Sequence, residues 1–155
     1  MSRDTRRTRK NQDGSFIKVP AFMFDSAAYT ALSSNARDVL MQLLRQYRGG
    51  NNGNLTAIWG DHENLVSIKS EKTFKNAVSE LLNEEFIEIT GTGTTSKKGK
   101  PPYLYAITWL EVDPPMGNSN RIIKSSPARK PQREWQRCEH RNEFERVVVR
   151  GGKRE

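Results

Sequence analysis

Two short clusters of residues carry side chains that bind metals, but neither has the partners of a metal site. Asp61, His62 and Glu63 are consecutive, and consecutive residues of a helix point in different directions. Cys138 and His140 lie near each other with no second Cys or His pair, so a solvated tail is the simpler interpretation. We therefore expect no metal and no cofactor.

The sequence also lacks the motifs of common catalytic sites. The glycines Gly91, Gly93 and Gly99 have no Gly-Lys-Ser/Thr sequence beside them and do not precede a helix, which argues against a nucleotide-binding loop. No Gly-x-Ser-x-Gly nucleophile motif is present. The histidines, His62 and His140, do not form a His-x-His pair. We predict that the protein is not an enzyme.

One predicted helix, Glu71–Glu84, carries polar residues suited to binding without catalysis. Its apolar residues recur at helical spacing and form the buried face: Phe74, Ala77, Val78, Leu81 and Leu82. At about 100° per residue, the residues that point most directly outward are Lys72, Asn76, Ser79 and Asn83.

None of these outward residues is a carboxylate. A lysine reaches guanine acceptors or a phosphate, an asparagine matches the major-groove edge of adenine, and a serine serves either role. The alternative is that this polar face is merely solvated. The face favours a helix that reads DNA bases through Lys72, Thr73, Asn76 and Ser79.

Cations and hydroxyls flank this helix on two sides. Lys69 and Lys75 lie near its N-terminal end, where the backbone attracts anions. After the helix, two predicted strands, Phe86–Thr90 and Tyr103–Leu110, enclose a Gly/Thr/Ser/Lys loop and form a hairpin. We expect phosphate contacts from both groups: Lys69, Lys75, Thr95, Ser96, Lys97, Lys98 and Lys100.

The elements that position these residues follow one another as helices and then a hairpin. Before the hairpin we predict a short helix over Ala27–Leu32, a main helix from the Ser33-Ser34 cap to Gly49-Gly50, a strand over Leu55–Ile58, a short helix over Trp59–Val66, and the helix Glu71–Glu84 capped by Ser70. The predicted fold is α+β, a winged helix-turn-helix with a three-helix core and a β-hairpin wing, over residues 16–110.

The positive charge lies at the two ends of the chain. The net charge is +8; residues 1–19 hold six basic and two acidic residues, 20–110 hold nine of each, and 111–155 hold eleven basic and seven acidic. Basic arms of this kind track phosphates and release counterions. We interpret residues 1–15 as a disordered basic arm, 111–133 as a linker, and 134–155 as a basic tail with a short helix or strand.

The tryptophans have different predicted roles. Trp109 alternates with Ile107 on a predicted strand and is expected in the core, and Trp59 is expected to pack beneath the short helix. Trp135 lies in the tail, either exposed in disorder or docked on a partner or on the body. Because Cys138 is the only cysteine and no apolar stretch is long enough for a signal or a membrane span, we expect a cytoplasmic protein.

Several stretches resemble winged-helix proteins of bacterial phages and integrative elements, usually described as helix-turn-helix or replication-initiator-like DNA-binding proteins. They are Gly50-Asn51-Asn52-Gly53, Glu80-Leu81-Leu82 leading into Phe86-Ile87, and Tyr105-Ala106-Ile107-Thr108-Trp109. The resemblance covers residues 16–110 and implies a winged helix that binds double-stranded DNA through Ser70–Glu84. The chain departs from the family at Glu85, where a glycine is common, and at Ile68-Lys69, where a Gly-containing turn is expected.

We therefore expect a non-catalytic double-stranded DNA-binding protein acting in replication initiation or transcriptional control of a phage or mobile element. We expect two further kinds of partner: a second copy of the chain, forming a homodimer, or a replication or transcription protein bound by the C-terminal tail. We expect no membrane partner. Two alternatives remain open: a winged-helix adaptor that binds another protein, and RNA binding through the basic arms. The lysines of the loop favour DNA over the adaptor.

Overall fold

The computed structural model describes residues 16–64, 67–94, 99–117 and 119–123. These residues form an α+β fold, which confirms the predicted class. The helices are α1 (Ala21–Phe24), α2 (Ala27–Ala31), α3 (Ser34–Gln46), α4 (Trp59–His62) and α5 (Glu71–Asn83). The strands are β1 (Leu55–Thr56), β2 (Ile87–Thr92), β3 (Tyr103–Ile107) and β4 (Asn120–Arg121).

The long helices α3 and α5 pack against each other and form the centre of the core. Each begins at a serine whose Oγ accepts a backbone N–H: Ser33 from Ala36 at 3.1 Å and Ser70 from Thr73 at 3.2 Å. The face predicted for α5 is buried at four of its five residues, and Leu82 is only half-buried. The buried residues are Ala36, Val39, Leu40, Leu43 and Leu44 in α3, and Phe74, Ala77, Val78 and Leu81 in α5.

Helix α5 ends in a Schellman motif at Glu85. The N–H of Phe86 donates to the carbonyl of Leu81 at 2.9 Å, and the N–H of Glu85 donates to Leu82 at 3.2 Å. Glu85 has a φ of 59°, in the left-handed region that glycine adopts without strain. The backbone here is therefore the one that a glycine would favour, although the residue is a glutamate.

The sheet is antiparallel in the order β1-β3-β2-β4. Strand β2 continues to Thr92, into the segment predicted as a loop, and the predicted strand over Tyr103–Leu110 ends at Ile107. Trp109 follows in a turn and is nevertheless buried, as expected, whereas Tyr103 is 56% exposed. The chain reverses after Ile107 because the carbonyl of that residue accepts the N–H of Leu110 at 3.3 Å.

Strand β4 is a difference from the sequence interpretation, because it lies in the segment 111–133 that was expected to be a linker. Its Arg121 lies opposite Gly91 in the ladder, where a Cβ would collide with the carbonyl oxygen of Asn120. The Arg121 guanidinium also donates to the carbonyls of Gly53 and Asp113. The strand was not predictable from local pattern, since it consists of two polar residues held by distant contacts.

The asparagines of the Gly50-Asn51-Asn52-Gly53 segment have a structural role. Asn52 is fully buried; its Oδ1 accepts the N–H of Ile107 at 2.7 Å and its Nδ2 donates to the carbonyl of Ile107 at 3.0 Å. Asn51 bonds in the same way to the C-terminal end of α3. The side chains of both asparagines thus join the end of α3 to the end of β3.

Candidate nucleic-acid interface

The outward face of α5 is on the surface. Lys72, Asn76, Ser79 and Asn83 are all exposed, as the helical geometry predicts. Thr73 is half-buried, and its Oγ1 lies 2.8 Å from the Oγ of Ser70. The hydroxyl of Thr73 is therefore part of the helix cap, which leaves it less available for a base contact than the fully exposed residues.

Two carboxylates on α5 are engaged by partners within the fold. Glu80 accepts the backbone N–H of Ser33 at 2.7 Å and its hydroxyl at 2.6 Å. The negative charge of Glu80 thus lies at the N-terminus of α3, where the helix dipole stabilises it. Glu71 pairs with Lys75 at 2.7 Å across one helical turn. The sequence analysis predicted neither contact.

The exposed charged side chains differ in sign between the two ends of α5. Lys69 and Lys72 are exposed at the N-terminal end, while Glu84 and Glu85 are exposed just beyond the C-terminal end. Lys75 is also exposed, and its pair with Glu71 is a solvent-screened surface contact of about 0–1 kcal/mol. A phosphate could therefore replace Glu71 as the partner of Lys75 at little cost.

The turn before α5 is held against α3. Asp38 Oδ2 accepts the N–H of Ser67 at 2.8 Å and its hydroxyl at 3.0 Å, and Ile68 is buried in the core. These contacts fix the start of α5 at the position where the resemblance would place a glycine-containing turn. They join residues 29 apart in the chain, so a local pattern could not reveal them.

Helix α4 is anchored through His62. The Nδ1 of His62 lies 2.8 Å from the carbonyl of Ile58, and its Nε2 lies 3.0 Å from Gln46 Nε2. Gln46 also bonds both backbone groups of Thr56 in β1, so α4 and β1 are tied to the end of α3. Trp59 packs its ring 5.6 Å from that of Phe74. In the part of the chain that the structure describes, no group of three or more acidic, His or Cys side chains could hold a metal.

The hairpin loop closes at its base, where the N–H of Gly93 donates to the carbonyl of Pro102 at 2.8 Å. Lys100 is exposed. The other predicted phosphate contacts of the loop lie outside the described residues: Thr95, Ser96, Lys97 and Lys98. The tail with Trp135, Cys138 and His140 lies outside them as well. Of the predicted phosphate contacts that the structure describes, Lys69 and Lys75 lie at the N-terminal end of α5 beside Lys72, and Lys100 lies in the hairpin loop.

Comparison with known protein families, curated proteins and solved structures returned no match for this chain. The resemblance to phage-encoded winged-helix proteins therefore stays a prediction. Within the described residues, no helix combines the length and the apolar character that a membrane crossing requires.

Proposed function

We propose that the chain is a winged helix-turn-helix protein that binds double-stranded DNA and acts in replication initiation or transcriptional control of a phage or mobile element. The order of the elements supports the fold assignment: α3, β1, α4 and α5 are followed by the hairpin β2–β3, and β1 pairs with β3. In this assignment α4 and α5 form the helix-turn-helix, and the loop 93–102 is the wing.

The exposed, carboxylate-free face of α5 is the observation that carries the proposal. An α-helix with its side chains is about 10–12 Å across and the DNA major groove is about 12 Å wide, so α5 can enter the groove with this face towards the bases. The nearest acids, Glu71 and Glu80, are bonded to Lys75 and Ser33. Within residues 69–80, three exposed lysines, Lys69, Lys72 and Lys75, accompany one exposed carboxylate, Glu71, so cations prevail at this end of α5.

The residues of this face have separable roles. Asn76, at the middle of α5, pairs its amide with an adenine edge, and Ser79 donates to or accepts from a neighbouring base. Lys72 reaches a guanine or a phosphate. Lys69 and Lys100 bind phosphates on either side, which positions the helix but carries no sequence information.

Selection of bound fragments from random duplex DNA tests this proposal. We expect enrichment of a short consensus, and a palindromic one if two copies bind together. The full chain should also bind unselected duplex at low salt, with weakening as salt rises. Absence of binding to any duplex at low salt would refute the DNA assignment, and binding without enrichment would refute base reading by α5.

A further inference from the structure

A row of three polar side chains crosses the sheet at the base of the hairpin loop. Thr92 of β2 lies opposite Tyr103 of β3 on one side and opposite Asn120 of β4 on the other. Residues that lie directly opposite each other in an antiparallel ladder project to the same face of the sheet. Because neighbouring strands are about 5 Å apart, the three side chains form a row about 10 Å long, which we name the wing-base row.

The wing-base row lies on the face of the sheet that carries the helices. Side chains alternate between the two faces along a strand, and Tyr105 and Ile107 of β3 are buried in the core that includes α3 and α5. Tyr103 shares their face but is 56% exposed, so the helices leave it uncovered. Burial, and then the Tyr103 phenol, raise the pKa of Tyr105, which agrees with two phenols on one face.

This row lies at the end of the sheet that adjoins the start of α5. Thr56 of β1 pairs with Leu104, the residue after Tyr103. Three residues further along the chain, Trp59 packs its ring 5.6 Å from that of Phe74, near the start of α5. The opposite end of the sheet adjoins the C-terminal end of α5, because β2 begins directly after the Schellman motif. The wing-base row and the exposed lysines of α5 are therefore at the same end of the helix.

The polar groups of the row are available to a ligand. Tyr103 and Asn120 are exposed and Thr92 is half-buried. Within the part of the chain that the structure describes, none of their side chains makes a hydrogen bond. The acidic residue of β2, Glu88, alternates with core residues on either side and therefore projects to the other face of the sheet. The row consequently offers neutral donors with no carboxylate among them.

The chemistry of the row selects a sugar–phosphate backbone as its ligand. Tyrosine, threonine and asparagine side chains are usual neutral partners of phosphate oxygens. The exposed Lys100, three residues before Tyr103, adds a cation at the same loop, and the lysines of α5 add more at the same end of the fold. The major groove admits a helix or a two-stranded ribbon, so a surface of three strands meets the backbone instead of the base edges.

We propose that the wing-base row binds the sugar–phosphate backbone of the duplex whose major groove α5 occupies. This inference rests on the proposed function and adds three binding residues to it, one of them from β4. Contacts of this kind add affinity for every duplex, because a backbone carries no sequence information. They neutralise no phosphate charge, so the slope of log affinity against log salt does not depend on them.

Fluorescence anisotropy of the full chain with two labelled duplexes of unrelated sequence, at several salt concentrations, tests this proposal. Tyr103→Phe and Thr92→Val each remove one hydroxyl and should weaken binding about two- to tenfold on both duplexes, with the salt slope unchanged. Tyr47→Phe is the matched control. It removes the hydroxyl of a half-buried tyrosine near the carboxylates of Asp113 and Glu111, which repel a phosphate, and should bind like the wild type.

Asn120→Asp is a further variant with a different signature. It keeps the shape of the side chain but places a negative charge in the row, which a phosphate repels. Affinity for both duplexes should fall about tenfold at low salt and approach that of the wild type as salt rises, because salt screens the repulsion. The thermal midpoint of each variant should match that of the wild type, since the altered groups make no hydrogen bond within the described residues.

Three results would overturn the proposal. Wild-type affinity in Tyr103→Phe, Thr92→Val and Asn120→Asp would show that the row touches no duplex. A loss on one duplex but not on the other would assign the row to base edges, and a loss only in variants whose thermal midpoint has fallen would assign it to the stability of the fold. Failure of the proposed function is separately visible, because the wild-type chain would then bind neither duplex at low salt and both proposals would fall.

Discussion

Replacement of Glu85 by glycine should stabilise the protein. Glu85 has a φ of 59°, and the left-handed conformation costs a non-glycine residue about 1–2 kcal/mol. Glycine avoids this cost but loses more backbone entropy on folding, about 0.5–1 kcal/mol. The net gain for Glu85→Gly is therefore about 0–1.5 kcal/mol, and its midpoint of about 0.75 kcal/mol corresponds to a rise of roughly 3–6 °C in Tm for a domain of this size.

Thermal unfolding of three variants separates strain from charge. Glu84→Gly is the matched control, because it removes the same charge at the neighbouring position, where φ is −86°. It should lower the free energy of unfolding by about 0.5–1 kcal/mol. Glu85→Ala removes the charge and keeps the strain, so its Tm should stay near that of the wild type. A Tm that falls equally in both glycine variants would refute the Schellman interpretation.

Three further predictions follow from the core, the sheet and the wing. Leu81 is fully buried, so Leu81→Ala should lower the free energy of unfolding by about 2–5 kcal/mol in denaturant titration, and a loss under 1 kcal/mol would contradict the core assignment. Burial, and then Tyr103, raise the pKa of Tyr105 above 10.0. Because the fold favours the neutral phenol, the free energy of unfolding is not reduced by Tyr105 below about pH 10, and it falls as pH rises through the folded-state pKa of Tyr105. Tyr105→Phe should therefore reduce the loss of stability measured between about pH 9 and 12. Joint replacement of Lys97, Lys98 and Lys100 by alanine should lower the slope of log affinity against log salt by up to about 2.7 for every duplex, and an unchanged slope would exclude the wing from phosphate contact.

Local periodicity was sufficient to predict α5, whereas α4 ends at His62 and not at Val66 as its pattern had predicted. The buried face of α5 and the exposed side chains of Lys72 and Asn76 follow from helical geometry, because each lies within one helix and depends on no distant residue. The serine caps at Ser33 and Ser70 were predictable for the same reason, since a cap bonds a residue only three positions away.

Contacts between distant residues were not predictable in this way. Glu80 reaches Ser33 across 47 positions, and no local pattern distinguishes it from a solvated glutamate. Arg121 contacts the Gly53 turn across 68 positions and thereby adds β4 to the sheet. The sequence consequently led us to end the body at residue 110, whereas Val112 is buried and pairing in the sheet continues to Arg121.

The affinity of the Asn76→Ala variant for a selected duplex tests the central proposal most directly. We expect a loss of about 1–3 kcal/mol on the preferred site and little change on random duplex, with the salt slope and the Tm unaltered. Asn83→Ala is the matched control: it removes the same amide from the same exposed face, seven residues nearer the acidic end, and should bind like the wild type. Equal affinities of the two variants on the selected duplex would contradict base reading by α5.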